Sequence, residues 1–405
     1  MRITIISPDI FPYAAGYGAR DPYNIALALS SRGHNITVLA SVPRSATANS
    51  VLNSKRDFNI LLFKLSRSGN SYINYYFPLL PMEYIRLFKV LRSLAMTDDA
   101  FILNGTLESL SSAFLLFVPS SVKKRTIFIN HGLPNPRSAL LNKVSSYFHT
   151  VFCRFFLNVS YVISYSKQSE ESLRTKLSKH NCTDYYITNL GINCKDFLTR
   201  ASKILERTLK ISSKLYKKYN IKGEYIYAVG RFERNKGYDE LLEAFEVLSE
   251  ESTGIQLVIS GELTGYTDYL LGKYHHLINS KRVIFTGRVD EDTKIFLMLN
   301  CKLYVISSIR EGFGGGAIEA QLLGINTLAT RTGKMDSILN RCNSIIVEPG
   351  SVQELIKGIR SGLSLMKPSI SISIEKCKPF SVENTVDIIQ MLWNQSIFQK
   401  SIDDL

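Results

Sequence analysis

One pattern constrains the fold of this 405-residue chain more than any other: short, wholly apolar runs recur and alternate with stretches of helical character. RITIIS (2–7) has the continuous apolarity of a buried strand and gives way to a loop, PDIFPYAAGYGARD (8–21). Asp21 followed by Pro22 suits an N-cap and a first helical position, and apolar residues continue to Leu29. Arg32-Gly33 stops that helix, and NITVLAS (35–41) supplies the next strand. This βαβ alternation continues through AFILN (100–104), RTIFIN (125–130) and YVISYS (161–166). Strands joined by helices imply a parallel sheet covered on both faces, with ligands in the loops that follow the strand C-termini.

After Gly191 the texture changes. Residues 195–222 are polar and basic and hold no strong strand, and a fresh alternation starts at YIYAVG (225–230). It runs on through IQLVISGE, RVIFTG, CKLYVISS and NTLAT. Two α/β domains of Rossmann-like type facing a cleft are the economical expectation: an N-terminal one over 1–200 and a C-terminal one over 201–378. The last segment holds an amphipathic helix, VDIIQMLW (386–393), that suits packing on either domain.

Composition bounds the function. An apolar content of 45% can fill two ordinary cores, and 21% charged with 11% aromatic residues is globular rather than disordered. The six cysteines lie far apart with no C-x-x-C pair and no His at zinc-ligand spacing, which reads as reduced thiols of a cytosolic protein. MRITIISPD meets a Pro-Asp break too early for a signal peptide, and the longest apolar segment, 110–118, is about half a membrane span. Residues 1–200 hold 23 Lys/Arg against 11 Asp/Glu, a net +12, whereas residues 201–405 are nearly balanced at 26 against 24. Such a basic half is either a general solvated surface or one that meets a polyanion or an anionic membrane face. No RNA- or DNA-binding motif and no arginine-rich tract is present, so a nucleic-acid partner is not expected.

The chemistry concentrates in the second half. YAVGRFERNKGYDELLEAF (227–245) is a strand, a turn and a helix, with Arg231 and Lys236 in the turn. Two cations at a strand's C-terminal end can meet a diphosphate, although an isolated Arg/Lys pair of this kind is commonly just solvated. Further on, SSIREGFGGGAIEAQLLG (307–324) sets Gly314, Gly315 and Gly316 between Glu311 and Glu319 as a strand-to-helix turn. Glycines there let backbone N–H groups approach an anion, at a helix end worth roughly 0.3–1 kcal/mol. That is too little to hold a departing diphosphate, so added cations are required. An acid/base pair acting on one glycosidic bond needs carboxyls about 5–9.5 Å apart. Eight residues along a helix span ~12 Å, which disfavours a hydrolase. The two glutamates are better divided between hydroxyl-bearing parts of one ligand, Glu319 at a nucleotide ribose and Glu311 at the group beyond the phosphates.

In combination, VGRFERNKG, TGRVDEDTK and EGFGGGAIEAQLLG resemble the retaining glycosyltransferases of family 4, which have the GT-B fold. The resemblance covers most of the chain, taking in Gly33-His34 with its strand, NHGLPNP (130–136), VISYS (162–166), NLGIN (189–193) and VEPGS (347–351). It implies that Arg231 and Lys236 bind the donor diphosphate, that Val289 presents its backbone to the base, and that Glu319 binds ribose. It places Glu311 at the 3- and 4-hydroxyls of the donor sugar, and the amides of Gly315, Gly316 and Ala317 at the sugar or its phosphate. His131, which would otherwise read as structural, matches a family histidine that reaches the donor sugar from the other domain. The segment 379–405 is expected to cross back to the N-terminal domain. The family's first loop carries two adjacent glycines near the donor phosphates; here Gly16 takes the first place, Tyr17 the second, and Gly18 follows. Asn193 and Lys334 stand where Asp and Gly are usual.

The reaction so implied transfers a hexose from a UDP- or GDP-sugar to an acceptor hydroxyl with retention, without a cofactor and without a metal, since Arg231, Lys236 and the helix end stand in for a divalent ion. The basic, bulky segments IRLFKVLRSL (85–94) and NKVSSYFHTVFCRFFL (142–157) suit an anionic bilayer or a lipid-linked glycan acceptor on the cytoplasmic face, or else are ordinary packed helices. A synthase with a small sugar or sugar-phosphate acceptor and a sugar-nucleotide epimerase are the alternatives.

Overall fold

A strand with a helix on each face of its sheet has no solvent side, so every residue along it must be apolar or hydrogen-bonded. The structure, a computed structural model, describes residues 1–11, 17–42, 58–64, 81–105, 110–131, 157, 159–165, 167–175, 182–251, 254–339, 343–366 and 375–403. It divides into two units, Met1–Ile192 with Phe380–Leu405, and Asn193–Pro379.

The first unit is built on seven strands: β1 (Arg2–Ser7), β2 (Asn35–Val42), β3 (Asn59–Lys64), β4 (Ala100–Gly105), β5 (Thr126–Asn130), β6 (Val159–Ser164) and β7 (Cys182–Ile187). Their order is β3-β2-β1-β4-β5-β6-β7 and every pair is parallel. Ile3, Ile5, Ile6, Phe101, Ile102, Leu103 and Ile129 are fully buried, as central strands of such a sheet require. The strand order reverses between β1 and β4, which makes the ends of those strands the natural ligand edge. There Gly105, at φ +110°, lies so near the start of the β1 loop that a Cβ would stand 3.1 Å from Pro8 Cδ.

The first helix departs from expectation. It spans Tyr17–Ser31, with Pro22 inside it, so Asp21 is not its N-cap. Pro22 has no N–H to give the carbonyl of Gly18, but Gly18 lies exposed in the first turn, where water can take that bond. Asp21 is instead 1% exposed, its side chain taken up by a buried polar cluster described below.

The C-terminal segment belongs to this first unit. Ile192 N–H donates to the Phe380 carbonyl at 2.9 Å and Val382 N–H to the Ile192 carbonyl at 3.1 Å. Gly191 is required at that crossing, because a Cβ would lie 2.5 Å from Val382 Cα. The helix Val382–Asp403 then buries Val386, Ile389 and Leu392 and packs on Tyr17–Ser31. Arg32 holds it through Glu383 at 2.5 Å and Asp387 at 2.7 Å, and Gln390 donates to His34 Nε2 at 2.9 Å. The Gly33-His34 step thus ends one helix and anchors another.

The second unit has six strands, β8 (Tyr225–Val229), β9 (Gln256–Ser260), β10 (Val283–Gly287), β11 (Leu303–Ile306), β12 (Thr327–Thr330) and β13 (Ser344–Val347). Their order is β10-β9-β8-β11-β12-β13, again all parallel, with the reversal between β8 and β11. The polar 195–222 stretch forms two helices, Cys194–Glu206 and Thr208–Tyr219. Asn193 caps the first of them by accepting from Asp196 N–H at 3.1 Å, which gives this departure from the usual residue a structural task.

Candidate active site

The site grows out of two turns that flank the β8/β11 reversal. At the end of β8, Gly230 N–H donates to the Ser260 carbonyl at 2.9 Å, and Gly261 approaches so closely that a Cβ would fall 1.8 Å from Gly230 O. Phe232 turns inward, fully buried with its ring 4.8 Å from Phe285, and this sends its neighbour Arg231 outward. Arg231 is 60% exposed and its nearest acidic partner is Glu233 at 3.3 Å. A 3-10 turn, Arg234–Lys236, follows and closes on Gly237, which has φ +65° and leaves no room for a Cβ, 2.0 Å from Ser307 O. Ser307 Oγ donates to the Lys236 carbonyl at 2.8 Å, and Ile309 N–H to that of Asn235, also at 2.8 Å. The turn after β8 and the loop after β11 are therefore one hydrogen-bonded body.

Within that body Lys236 and Glu311 meet. Lys236 Nζ donates to Glu311 Oε2 at 2.7 Å and Ser308 Oγ donates to the same oxygen at 2.9 Å. Both charged side chains are about one-fifth exposed, so they are held and still reachable from solvent. Tyr238 lies beneath: burial first, and the Glu311 charge second, push its hydroxyl well above the ordinary tyrosine range, so it stays protonated.

The glycine elbow is tighter than the sequence suggests. Gly314 alone forms the turn, as the left-handed N-cap at φ +104°, and Gly315 and Gly316 already belong to the helix Gly315–Leu323. The amides of Gly315 and Gly316 have no partner among the described residues, whereas Ala317 N–H donates to the Gly314 carbonyl at 2.9 Å. Of the three amides expected at an anion, Ala317's is thus engaged within the turn. Gly333, at φ +58°, sits under the elbow, and Lys334 N–H donates to the Phe313 carbonyl at 3.2 Å. The Lys334 ammonium lies 4.9 Å from the Phe313 ring centroid, and burial pulls its pKa down.

Glu319 occupies a different setting. It is 3% exposed and accepts from Lys294 Nζ at 2.6 Å, and Lys294 also lies 2.8 Å from Glu291. Lys294 stands on the helix Glu291–Asn300, whose N-cap Asp290 accepts from Thr293 N–H at 2.7 Å. Val289 immediately precedes this cap and follows Gly287, which turns at φ +70°. The second unit thus brings Lys236 and Glu311 into direct contact and places Arg231, Val289, Gly314–Ala317 and Glu319 on the loops and helices that follow β8, β10 and β11. Ser308 and Lys294 were missed. Ser308 closes the run CKLYVISS, and Lys294 lies four residues beyond the acidic cap Asp290.

In the first unit Gly18 is in the first helical turn rather than in a loop, and Gly16 lies outside the described residues, as do 132–136 of NHGLPNP and nearly all of 142–157. His131 follows β5 directly. Its Nε2 is 2.9 Å from Asp21 Oδ2, an oxygen that also accepts from Asn104 and Tyr165 at 2.7 Å each. Among the described residues no group of three His, Cys, Asp or Glu side chains is placed to hold a metal ion, and no helix is long and apolar enough to cross a membrane.

Residues 213–370 match the family described as Glycosyl transferases group 1. Among curated proteins, the chain is 27% identical over 191 residues to the capsular polysaccharide biosynthesis glycosyltransferase CapM of Staphylococcus aureus, covering 47% of this chain and 49% of CapM. The matched part is therefore about half the length of that relative. Among solved structures it resembles sucrose-phosphate synthase from Thermosynechococcus elongatus, with TM-score 0.69 at 18% identity over 98% of this chain and 99% of that one. It is also similar to Anabaena HepE in complex with UDP and glucose, with TM-score 0.69 at 17% identity over 97% and 99%. Residues 213–370, within the second unit, thus match the glycosyl transferases group 1 family, and the two parallel α/β sheets have the fold of the GT-B glycosyltransferase structures the chain resembles.

Proposed function

We propose that the chain is a retaining glycosyltransferase of family 4 that moves a hexosyl group from a nucleotide sugar to an acceptor hydroxyl. The observation that carries this reading is the joined body of the two turns at the β8/β11 reversal, where Lys236, Glu311 and Ser308 converge beside the outward Arg231. Arg231 and Lys236 bind the diphosphate and offset the charge that grows on it as the bond breaks. The amides of Gly315 and Gly316, at the positive end of their helix, add donors. Glu311 accepts from hydroxyls of the transferred sugar, Glu319 from the ribose, and Val289 borders the base. His131 acts on the transferred sugar.

In the step itself the bond between the anomeric carbon and the diphosphate oxygen breaks, and the acceptor oxygen bonds to that carbon on the same face. The acceptor's proton passes to the departing diphosphate. No side chain has to become a covalent nucleophile, and the cations take the part a divalent ion would play, so the reaction needs no metal. HepE holds UDP and glucose, which makes UDP-sugars the first donors to try.

A lipid-linked glycan at an anionic membrane face is the acceptor reading favoured by one specific feature. The helix Pro81–Thr97 turns Met82, Ile85, Phe88 and Met96 to solvent at 74%, 52%, 42% and 83% exposure, with Lys89 and Arg92 exposed between them. CapM, a capsular polysaccharide enzyme, fits such an acceptor, and sucrose-phosphate synthase represents the small-acceptor alternative.

A thermal-shift screen across UDP-, GDP- and ADP-sugars tests the donor reading, because a ligand that binds only the folded chain raises Tm by mass action. One nucleotide class is expected to stand out, and transfer from that donor to give a product of unchanged anomeric configuration completes the assignment. No shift with any nucleotide sugar at millimolar concentration would refute it.

A further inference from the structure

We infer that Asp21 is a positioning residue that fixes His131 in the Nε2–H tautomer, leaving Nδ1 as the acceptor with which this histidine meets its substrate. The inference deepens the proposed function and rests on it for the substrate contact; the tautomer itself follows from geometry alone.

Four elements deliver the cluster. Asp21 comes from the helix after β1, Asn104 from the C-terminal end of β4, His131 from the residue after β5 and Tyr165 from the residue after β6. These strands are consecutive neighbours in the sheet, so all four side chains gather at its C-terminal edge. One carboxylate oxygen, Asp21 Oδ2, lies 2.7 Å from Asn104 Nδ2, 2.7 Å from the Tyr165 hydroxyl and 2.9 Å from His131 Nε2. The carboxylate is 1% exposed, and its other oxygen, Oδ1, has no hydrogen-bond partner among the described residues.

A carboxylate oxygen can only accept here, and the amide N–H of Asn104 and the phenol of Tyr165 donate to it. The third group at hydrogen-bond distance must donate too, because an imidazole lone pair facing that oxygen would be an unpaired contact in a water-free place. His131 therefore carries its proton on Nε2. The residue is held at this edge: its main-chain N–H donates to the Gly105 carbonyl at 3.2 Å, and the Tyr165 ring packs edge-on against the imidazole at 5.1 Å and 71°. Nδ1 has no partner among the described residues, and the side chain is 15% exposed. A neutral His131 then takes a hydrogen bond from a substrate hydroxyl at Nδ1 and does not give one.

Two-bond 1H–15N spectra of full-length chain labelled at its six histidines decide the point. Taken in mildly alkaline buffer, above the ordinary histidine pKa of about 6.5, they separate the protonated from the bare ring nitrogen, and His131→Asn assigns the signal. Wild type is expected to show His131 as a single Nε2–H tautomer. Tyr165→Phe, which removes a donor from the same oxygen and leaves the Asp21–His131 contact, keeps that tautomer. Asp21→Asn loses it to a mixture or to Nδ1–H, and its kcat falls by about 10-fold or more while KM for the nucleotide sugar stays within about twofold. An Nδ1–H signal in wild type overturns the inference, and so does Asp21→Asn with both tautomer and kcat unchanged. The tautomer readout needs no nucleotide sugar, so a chain that turns over no donor would refute the proposed function and leave this result standing.

Discussion

Lys236 Nζ and Glu311 Oε2 are 2.7 Å apart, so two residues expected at different parts of one donor hold each other. A ligand phosphate that takes Lys236 competes with a partly solvated ion pair worth on the order of 1 kcal/mol or less, which is a small barrier to binding. The pair keeps both side chains in place without locking them. Glu311→Gln retains shape and removes charge. Transfer is expected to fall about 100-fold or more, the scale of losing one preorganised electrostatic contact. Tm should move by no more than about 2–4 °C. Initial rates and calorimetry check both, and full activity in the folded variant refutes the assignment of Glu311.

The sheets were legible because parallel strands buried on both faces admit only apolar runs: RITIIS, AFILN and RTIFIN all became strands within a residue or two of their expected ends. β3 and β7 were less so; NILLFK and CTDYYI lie at the two edges of the first sheet, and polar residues interrupt the second. Asp21-Pro22 misled for a definite reason. The dipeptide carries a helix-start signal, but tertiary contacts with Asn104, His131 and Tyr165 claim the carboxylate and the helix begins four residues earlier. The glutamates and cations of the site could be read from their spacing against glycines. Lys294 could not, since its partner Glu319 lies on another helix, and Ser308 could not, since its hydroxyl meets Glu311 only through the folded path of their loop.

The glycines of the second unit predict opposite signs. Gly237→Ala meets Ser307 O at 2.0 Å and forces a left-handed φ of +65° on alanine, so the joined turns must part. A loss of about 2–4 kcal/mol is expected, more than left-handed strain of about 1–2 kcal/mol alone would give. Gly272→Ala lies at an exposed position of the helix Gly265–Lys273 with nothing within 4 Å of its Cβ. It should stabilise by about 0.5–1 kcal/mol. Urea unfolding of both variants checks the contrast, and equal shifts would refute it.

Asp239 makes a prediction about acid. Burial opposes its charge, but Lys273 at 2.8 Å, Tyr274 at 2.7 Å and Tyr269 at 3.1 Å outweigh that and hold its pKa below the ordinary 3.8. A carboxyl depressed in the folded state contributes stability that is fully present above its unfolded pKa and is lost as pH falls through the folded one. Asp239→Asn should therefore lie below wild type in Tm by a constant margin from neutral pH down to about 4, and the margin should shrink below that. A margin that grows as pH falls under 3.8 would contradict the sign.

The helix Pro81–Thr97 predicts membrane behaviour. Phe88 and Phe117, both part-exposed, lie edge to face at 5.7 Å and extend the apolar face that Met82 and Ile85 begin. Full-length chain is expected to float with phosphatidylglycerol vesicles at low salt, to leave them as salt screens Lys89 and Arg92, and to ignore neutral vesicles. The double change Ile85→Ser with Phe88→Ser should abolish flotation and leave the nucleotide-sugar thermal shift intact. Flotation unchanged by the double variant would remove this helix as the contact.

Lys294 and Glu319 give the sharpest test of the ribose reading. Their side chains are 14% and 4% exposed and 2.6 Å apart, so Lys294→Met leaves a buried carboxylate without its cation. Breaking a buried pair in this way costs about 3–5 kcal/mol, whereas removing both charges together costs less. Adding Glu319→Gln to Lys294→Met should therefore recover part of the loss, and a double-mutant cycle by urea unfolding reads the coupling. Binding separates the structural part from the functional one. If Glu319 accepts from a ribose hydroxyl, wild type prefers the ribonucleoside diphosphate selected by the thermal screen over its 2′-deoxy or 3′-deoxy analogue by about 10-fold, or 1.4 kcal/mol. In Glu319→Gln that preference should narrow, because an amide accepts less strongly than a carboxylate. Calorimetric titration of the three ligands on both proteins measures these affinities. A wild type indifferent to both hydroxyls would leave Glu319 as Lys294's partner and nothing more.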